Sequence, residues 1–190
     1  MNDFDIRKVA NALIFFIDKK VYSLTKTKFI KMMFFADKLH LEKYGRSIFG
    51  DTYRKLPKGP VPTLTYSVID SVAAESCDNE DVEDLVNGFS EYISVSCKPN
   101  KKGFAMTVFD KKSEFNKKIF SKSEIEVLNT VADKYKDFTV NNIIDATHET
   151  EEFKKTPMKF SISEEAMSGL NKDYVSFWEK EFHKLNAVIN

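Results

Sequence analysis

The chain has 190 residues, which suits one domain over 1–190 with a core large enough to do without a disulfide or a structural metal. Lys plus Arg is 29 and Asp plus Glu is 29, so the formal charge is zero. A dedicated nucleic-acid binder draws its affinity from a basic excess, so nucleic acid is not expected as the main partner, and the same balance argues against an anionic membrane surface. Cys77 and Cys97 have no CxxC spacing and no second thiol pair, so no zinc site is expected. The opening Met1-Asn2-Asp3-Phe4-Asp5 carries no basic leader, and no apolar run reaches the roughly 18 residues of a membrane span. A cytoplasmic protein with two reduced thiols is the expectation, with no membrane partner. Phenylalanine is unusually frequent at 17, which implies a Phe-rich core with a few rings left over for a partner surface.

In chain order, residues 4–19 read as a helix with Ile6, Val9, Ala10, Leu13, Phe16 and Ile17 on one face. Residues 26–44 form the strongest helical segment, with Thr25 as N-cap and Gly45 as the left-handed C-terminal residue. Its apolar face (Phe29, Ile30, Met32, Met33, Phe35, Ala36, Leu39) is broad enough for a central helix with several neighbours. A short strand is expected within Ile48–Lys55. The run Lys55-Leu56-Pro57-Lys58-Gly59-Pro60-Val61-Pro62 reads as a stiff loop, neither helix nor central strand, leading into a helix over 62–75 with Leu64, Val68 and Val72 inward. The acidic residues of 78–84 suit a solvated loop or the first turn of a short helix.

Glu91–Lys98 and Phe104–Asp110 alternate about Pro99-Asn100-Lys101-Lys102-Gly103, the pattern of a β-hairpin. Ser121 and Glu124 have capping-box spacing and open a helix to about Lys136. Thr139 caps a short helix with Ile143 and Ile144, Glu149–Lys155 adds a turn or two before Pro157, and a last helix is expected over 172–186 with Tyr174, Phe177, Trp178, Phe182 and Leu185 inward. The fold class expected is α+β, mainly α: about six helices around a central helix, with short β-hairpins.

No nucleophile elbow, zinc-protease helix, phosphate loop or dinucleotide fingerprint is present. Of His40, His148 and His183, no two lie four residues apart. His40 is expected at the core edge and His183 in solvent. His148-Glu149 is the one polar pair worth weighing as base or ligand, but adjacent residues on a helix do not face each other. No catalytic residue, metal or cofactor is expected, and the chain is not expected to be an enzyme. The stiff Lys58-Gly59-Pro60 segment suits recognition, because a rigid loop loses little entropy on binding, and it equally suits a sharp connector.

Four segments carry a family resemblance. Lys26-Thr27-Lys28-Phe29-Ile30-Lys31-Met32-Met33-Phe34-Phe35-Ala36-Asp37 resembles the K-L-x-K-L-L-Y-F-A helix of the Panacea domain. Gly45-Arg46-Ser47-Ile48-Phe49 resembles its G-R-P-L-F segment, and Gly59-Pro60-Val61 its G-P-V segment. Thr147-His148-Glu149-Thr150-Glu151-Glu152-Phe153 is similar to its S-H-x-E-x-x-W segment. The segments fall in family order and cover roughly residues 8 to 156. Phe34, Ser47, Thr147 and Phe153 depart from the pattern, and Ser47 in place of proline loosens that turn. The resemblance implies an antitoxin, of a kind able to neutralise very different toxins by direct contact. The expected partner is a cognate protein toxin, and a homodimer stays open. Arg46, Lys58, Gly59, Pro60, His148 and Glu149 are the candidate binding residues. A proteolytic adaptor or transcription-linked regulator shares the same sequence features, and a metal-dependent enzyme built on His148 is the third reading.

Overall fold

The computed structural model describes residues 4–77, 80–99, 103 and 105–169. Among them, seven α-helices and two small antiparallel sheets are arranged around an eighth, long helix. That helix, α2 (Lys26–Tyr44), starts where Thr25 Oγ1 accepts from the Lys28 amide and stops at Gly45 in the left-handed region. Lys28 through Asp37 is buried without a break, so α2 is enclosed on all sides rather than along one stripe. It packs against α5 (Lys122–Tyr135), α6 (Val140–His148), α8 (Glu164–Ser168) and the strand β2 (Gly59–Pro62). Aromatic rings fill the spaces between: Phe29 meets Phe16 and Phe109, Phe34 meets Tyr53, and Phe35 stacks on Tyr135 at 4.4 Å.

α1 (Ile6–Asp18) is capped by Asp5 and buries Ile6, Val9, Ala10, Leu13 and Phe16. Its buried polar residue is Asn11, whose Oδ1 accepts from the Asn116 amide at 2.9 Å and ties the helix to the segment before α5. α5 opens with the anticipated capping box, Ser121 and Glu124 each accepting the other's amide. Thr139 likewise caps α6, and α7 (Glu151–Lys155) follows. The acidic stretch leads into α4 (Glu80–Ser90), and the hairpin is β3 (Ile93–Pro99) with β4 (Ala105–Lys111).

Three expectations need correction. Ile48 and Phe49 belong to no strand; they are buried, and their amides are spent on the Asp37 carboxylate. The strand begins later, as β1 (Tyr53–Leu56). The Pro-rich run is not a loop but a hairpin, with β2 paired to β1 from Tyr53↔Pro62 to Leu56↔Gly59. Proline is tolerated there because the sheet order is β2-β1-β5, leaving β2 on an edge where missing donors cost no ladder bond. The other edge, β5 (Ser161–Ile162), and α8 beyond it have too few residues to show a periodicity. His40 is fully buried rather than at the edge, with Nδ1 at 2.7 Å from the Arg46 carbonyl and Nε2 at 3.1 Å from Ser123 Oγ. The expected helix over 172–186 and the expected exposure of His183 lie outside the described residues.

Candidate functional site

Three charged residues of the α2 motif, Lys28, Lys31 and Asp37, are buried and held chiefly by backbone, whereas Lys26 is half-buried and pairs with the Asp70 carboxylate. Lys28 Nζ donates to the carbonyls of Tyr22, Lys136 and Phe138 at 2.6, 2.9 and 2.6 Å. One ammonium thus joins the α1–α2 turn to the end of α5 and the start of α6. Burial depresses its pKa to about 8. One turn on, Lys31 Nζ donates to the Pro60 carbonyl at 2.6 Å, and burial brings its pKa down to about 7. No carboxylate among the described residues pairs with it. Asp37 mirrors this arrangement with acceptors: Oδ1 takes the Ile48 and Phe49 amides at 2.6 and 3.1 Å, and Oδ2 takes the Tyr53 hydroxyl at 2.7 Å. Burial outweighs these three bonds and raises the Asp37 pKa to about 7.

β2 is seated on this framework. Gly59 has φ +95, and a Cβ there would lie 2.6 Å from Thr147 Oγ1 and 2.9 Å from Lys31 Cε. Only glycine gives both that backbone and that approach. The G-P-V segment is therefore where α2, β2 and α6 close on one another. Pro60 is buried beside Gly59, whereas Lys58 is exposed at the two-residue turn.

The six candidate residues do not form one site. Gly59 and Pro60 lie at the Lys31–Thr147 junction. Arg46 lies past the far end of α2, some 15 residues and roughly 22 Å of helix away, where Nη1 meets Glu124 at 3.1 Å and Nη2 meets Ser121 Oγ at 3.3 Å. Burial pushes the Glu124 pKa up, but the Lys8 ammonium, the Ser121 amide and Arg46 outweigh it and hold it below its usual value. His148 stacks on Phe153, ring centroids 4.7 Å apart and planes at 10°, with Nε2 shielded and unpaired. Glu149 is exposed and pairs with Lys154 at 2.9 Å. Three residues on, Glu152 is buried, with one oxygen on Lys38 at 3.1 Å.

Sequence reasoning passed over Lys28, Lys31 and Asp37 as site-forming residues. The available signal was three ionisable side chains inside an otherwise apolar helical run, a placement that proteins tolerate only with buried partners. Among the described residues no group of three or more His, Cys, Asp and Glu is placed to hold a metal ion. Two of the hollows among the described residues border this framework. One of about 350 Å³ is lined by Asp37, Asp51, Tyr53 and Glu164. The other, about 450 Å³, is an apolar groove of Phe35, Leu39, Tyr135, Phe138 and Ala146. No helix of the described residues is long and apolar enough to cross a membrane.

No curated protein and no solved structure matches the chain. The family model described as antitoxin SocA-like, Panacea domain, matches residues 29–154, about two thirds of the sequence and the stretch that holds Lys31, Asp37, Gly59 and Thr147. The chain belongs to the Panacea-domain family of SocA-like antitoxins.

Proposed function

We propose that this protein is an antitoxin that neutralises a cognate protein toxin by binding it directly, without catalysis. Family membership supports the antitoxin role. The structural observation that carries the mode of action is the fate of the motif. Lys28, Lys31, Asp37 and Gly59 are buried and engaged with the chain's own backbone or its packing. Such residues fix the frame and leave the solvent-facing side chains free to differ from one protein to the next. Affinity then comes from a few exposed anchors ringed by polar groups, as at other protein interfaces.

The test is co-expression with the product of the neighbouring reading frame. The expected result is relief of growth arrest together with a stable complex on size exclusion. Unrelieved arrest with no complex refutes the reading. Relief accompanied by a shortened toxin half-life points instead to a proteolytic adaptor.

A further inference from the structure

The described residues include one strongly exposed phenylalanine, Phe160, at 64% exposure. It is not a loose surface ring. Its carbonyl accepts from the Lys55 amide at 2.9 Å, its amide donates to the Pro157 carbonyl at 3.2 Å, and the neighbouring Lys159 amide donates to the Lys55 carbonyl at 2.8 Å. Lys159 has φ 71, a left-handed conformation that is unfavourable for a residue with a Cβ. The 157–160 turn is thus fastened alongside the end of β1, and it holds Phe160 and the exposed Met158 out in solvent. Pro57 and Lys58, at the turn of the β1–β2 hairpin, are exposed beside them.

Charge around this tip is one-sided. Residues 53–62 and 153–162 contain Arg54, Lys55, Lys58, Lys154, Lys155 and Lys159 and not one carboxylate, in a chain whose total charge is zero. Lys154 and Lys155 are neutralised by Glu149 and Glu151, and Lys55 Nζ is spent on the Phe153 carbonyl at 2.5 Å. Arg54, Lys58 and Lys159 are exposed and have no ion pair among the described residues. We propose that the tip formed by Arg54, Pro57, Lys58, Met158, Lys159 and Phe160 is the toxin-docking surface, and that it fits an apolar pocket rimmed by carboxylates on the toxin. The proposal rests on the antitoxin reading above. Phe160 is the anchor, held in its binding geometry beforehand so that little ordering entropy is lost on contact. The three unpaired cations supply orientation and speed of encounter. A nucleic acid fits less well, because three cations and two aliphatic side chains offer few phosphate contacts and no continuous basic track.

The experiment uses the full-length chain, the co-expressed neighbouring toxin and three variants: Phe160→Ala, Phe160→Glu and Lys58→Glu/Lys159→Glu. All the changed side chains are exposed, and circular dichroism with urea unfolding verifies that each variant folds as the wild type does. Phe160→Ala is expected to weaken toxin binding about thirtyfold or more, as for an interface hot spot. Phe160→Glu should abolish growth rescue, and the charge reversal should slow association and remove its dependence on salt. Rescue and affinity equal to wild type in all three variants overturn the surface and leave the antitoxin reading standing. A wild-type chain that neither binds nor rescues overturns both. Overturning results also include a wild-type dimer on size exclusion that Phe160→Glu dissociates while toxin binding persists, and binding of a single-stranded oligonucleotide that the same variants abolish.

Discussion

Replacing Lys31 with methionine should make the protein more stable at neutral pH and less stable at alkaline pH. Lys31 is fully buried, and its pKa falls from 10.5 to about 7 because burial disfavours the ammonium. The unfolded chain keeps a lysine protonated until about pH 10.5, whereas the folded chain releases the proton near pH 7. Between those values the unfolded state binds more protons, so this group makes stability rise with pH. At about 1.36 kcal/mol per pH unit, it costs the folded state roughly 4 kcal/mol at pH 7 and less than about 1 kcal/mol at pH 10. Methionine has similar length and no charge, so the cost disappears. It also leaves the buried Pro60 carbonyl without its donor, a loss of about 1–3 kcal/mol. K31M should therefore gain roughly 2 kcal/mol at pH 7 and lose about 1 kcal/mol at pH 10. Urea unfolding of both proteins at several pH values between 7 and 10, followed by circular dichroism, measures the difference directly. Parallel profiles would refute the reasoning: they would mean that Lys31 keeps its charge, and hence some access to water, throughout.

Asp37 titrates with the opposite sign. Its folded pKa of about 7 lies above the 3.8 of an ordinary aspartate, so its contribution is fully present below about pH 4 and is lost as pH rises to 7. Asp37→Asn should flatten that part of the stability profile while keeping an oxygen for the Ile48 and Phe49 amides; an unaltered slope between pH 4 and 7 counts against a raised pKa. Gly59→Ala places a methyl group 2.6 Å from Thr147 Oγ1 on a backbone that disfavours any side chain, and should cost about 2–4 kcal/mol by urea unfolding. A loss below about 0.5 kcal/mol would show that α6 can move away from β2 freely.

The sequence by itself determined the local structure of most described elements. Thr25, Ser121 and Thr139 declare their helices because a side-chain oxygen satisfies an amide that the helix leaves open, a bond made within three residues. Gly45 declares a helix end for an equally local reason. The broad apolar face of α2 predicts a central helix, since several neighbours are needed to cover it. The four motif segments give the family in the right order. What the sequence left undecided was each pairing between distant segments. The Pro57–Pro62 run reads as a loop until β1 lies against it, and proline becomes acceptable only because β2 is an edge. Lys31 and Asp37 have no visible partner in the sequence, because Pro60, Ile48, Phe49 and Tyr53 reach them from elsewhere in the chain. Arg46 and His148 belong to the same motif set, yet they stand apart, because a long helix separates what the motif order strings together. Phe160 looks like one more core ring in a Phe-rich chain. Only the backbone bonds that it accepts from the Lys55 amide and donates to the Pro157 carbonyl hold it on the surface. A hydrogen bond within one helical turn is written in adjacent letters; a bond across the fold depends on which surfaces meet, and only the tertiary structure decides that.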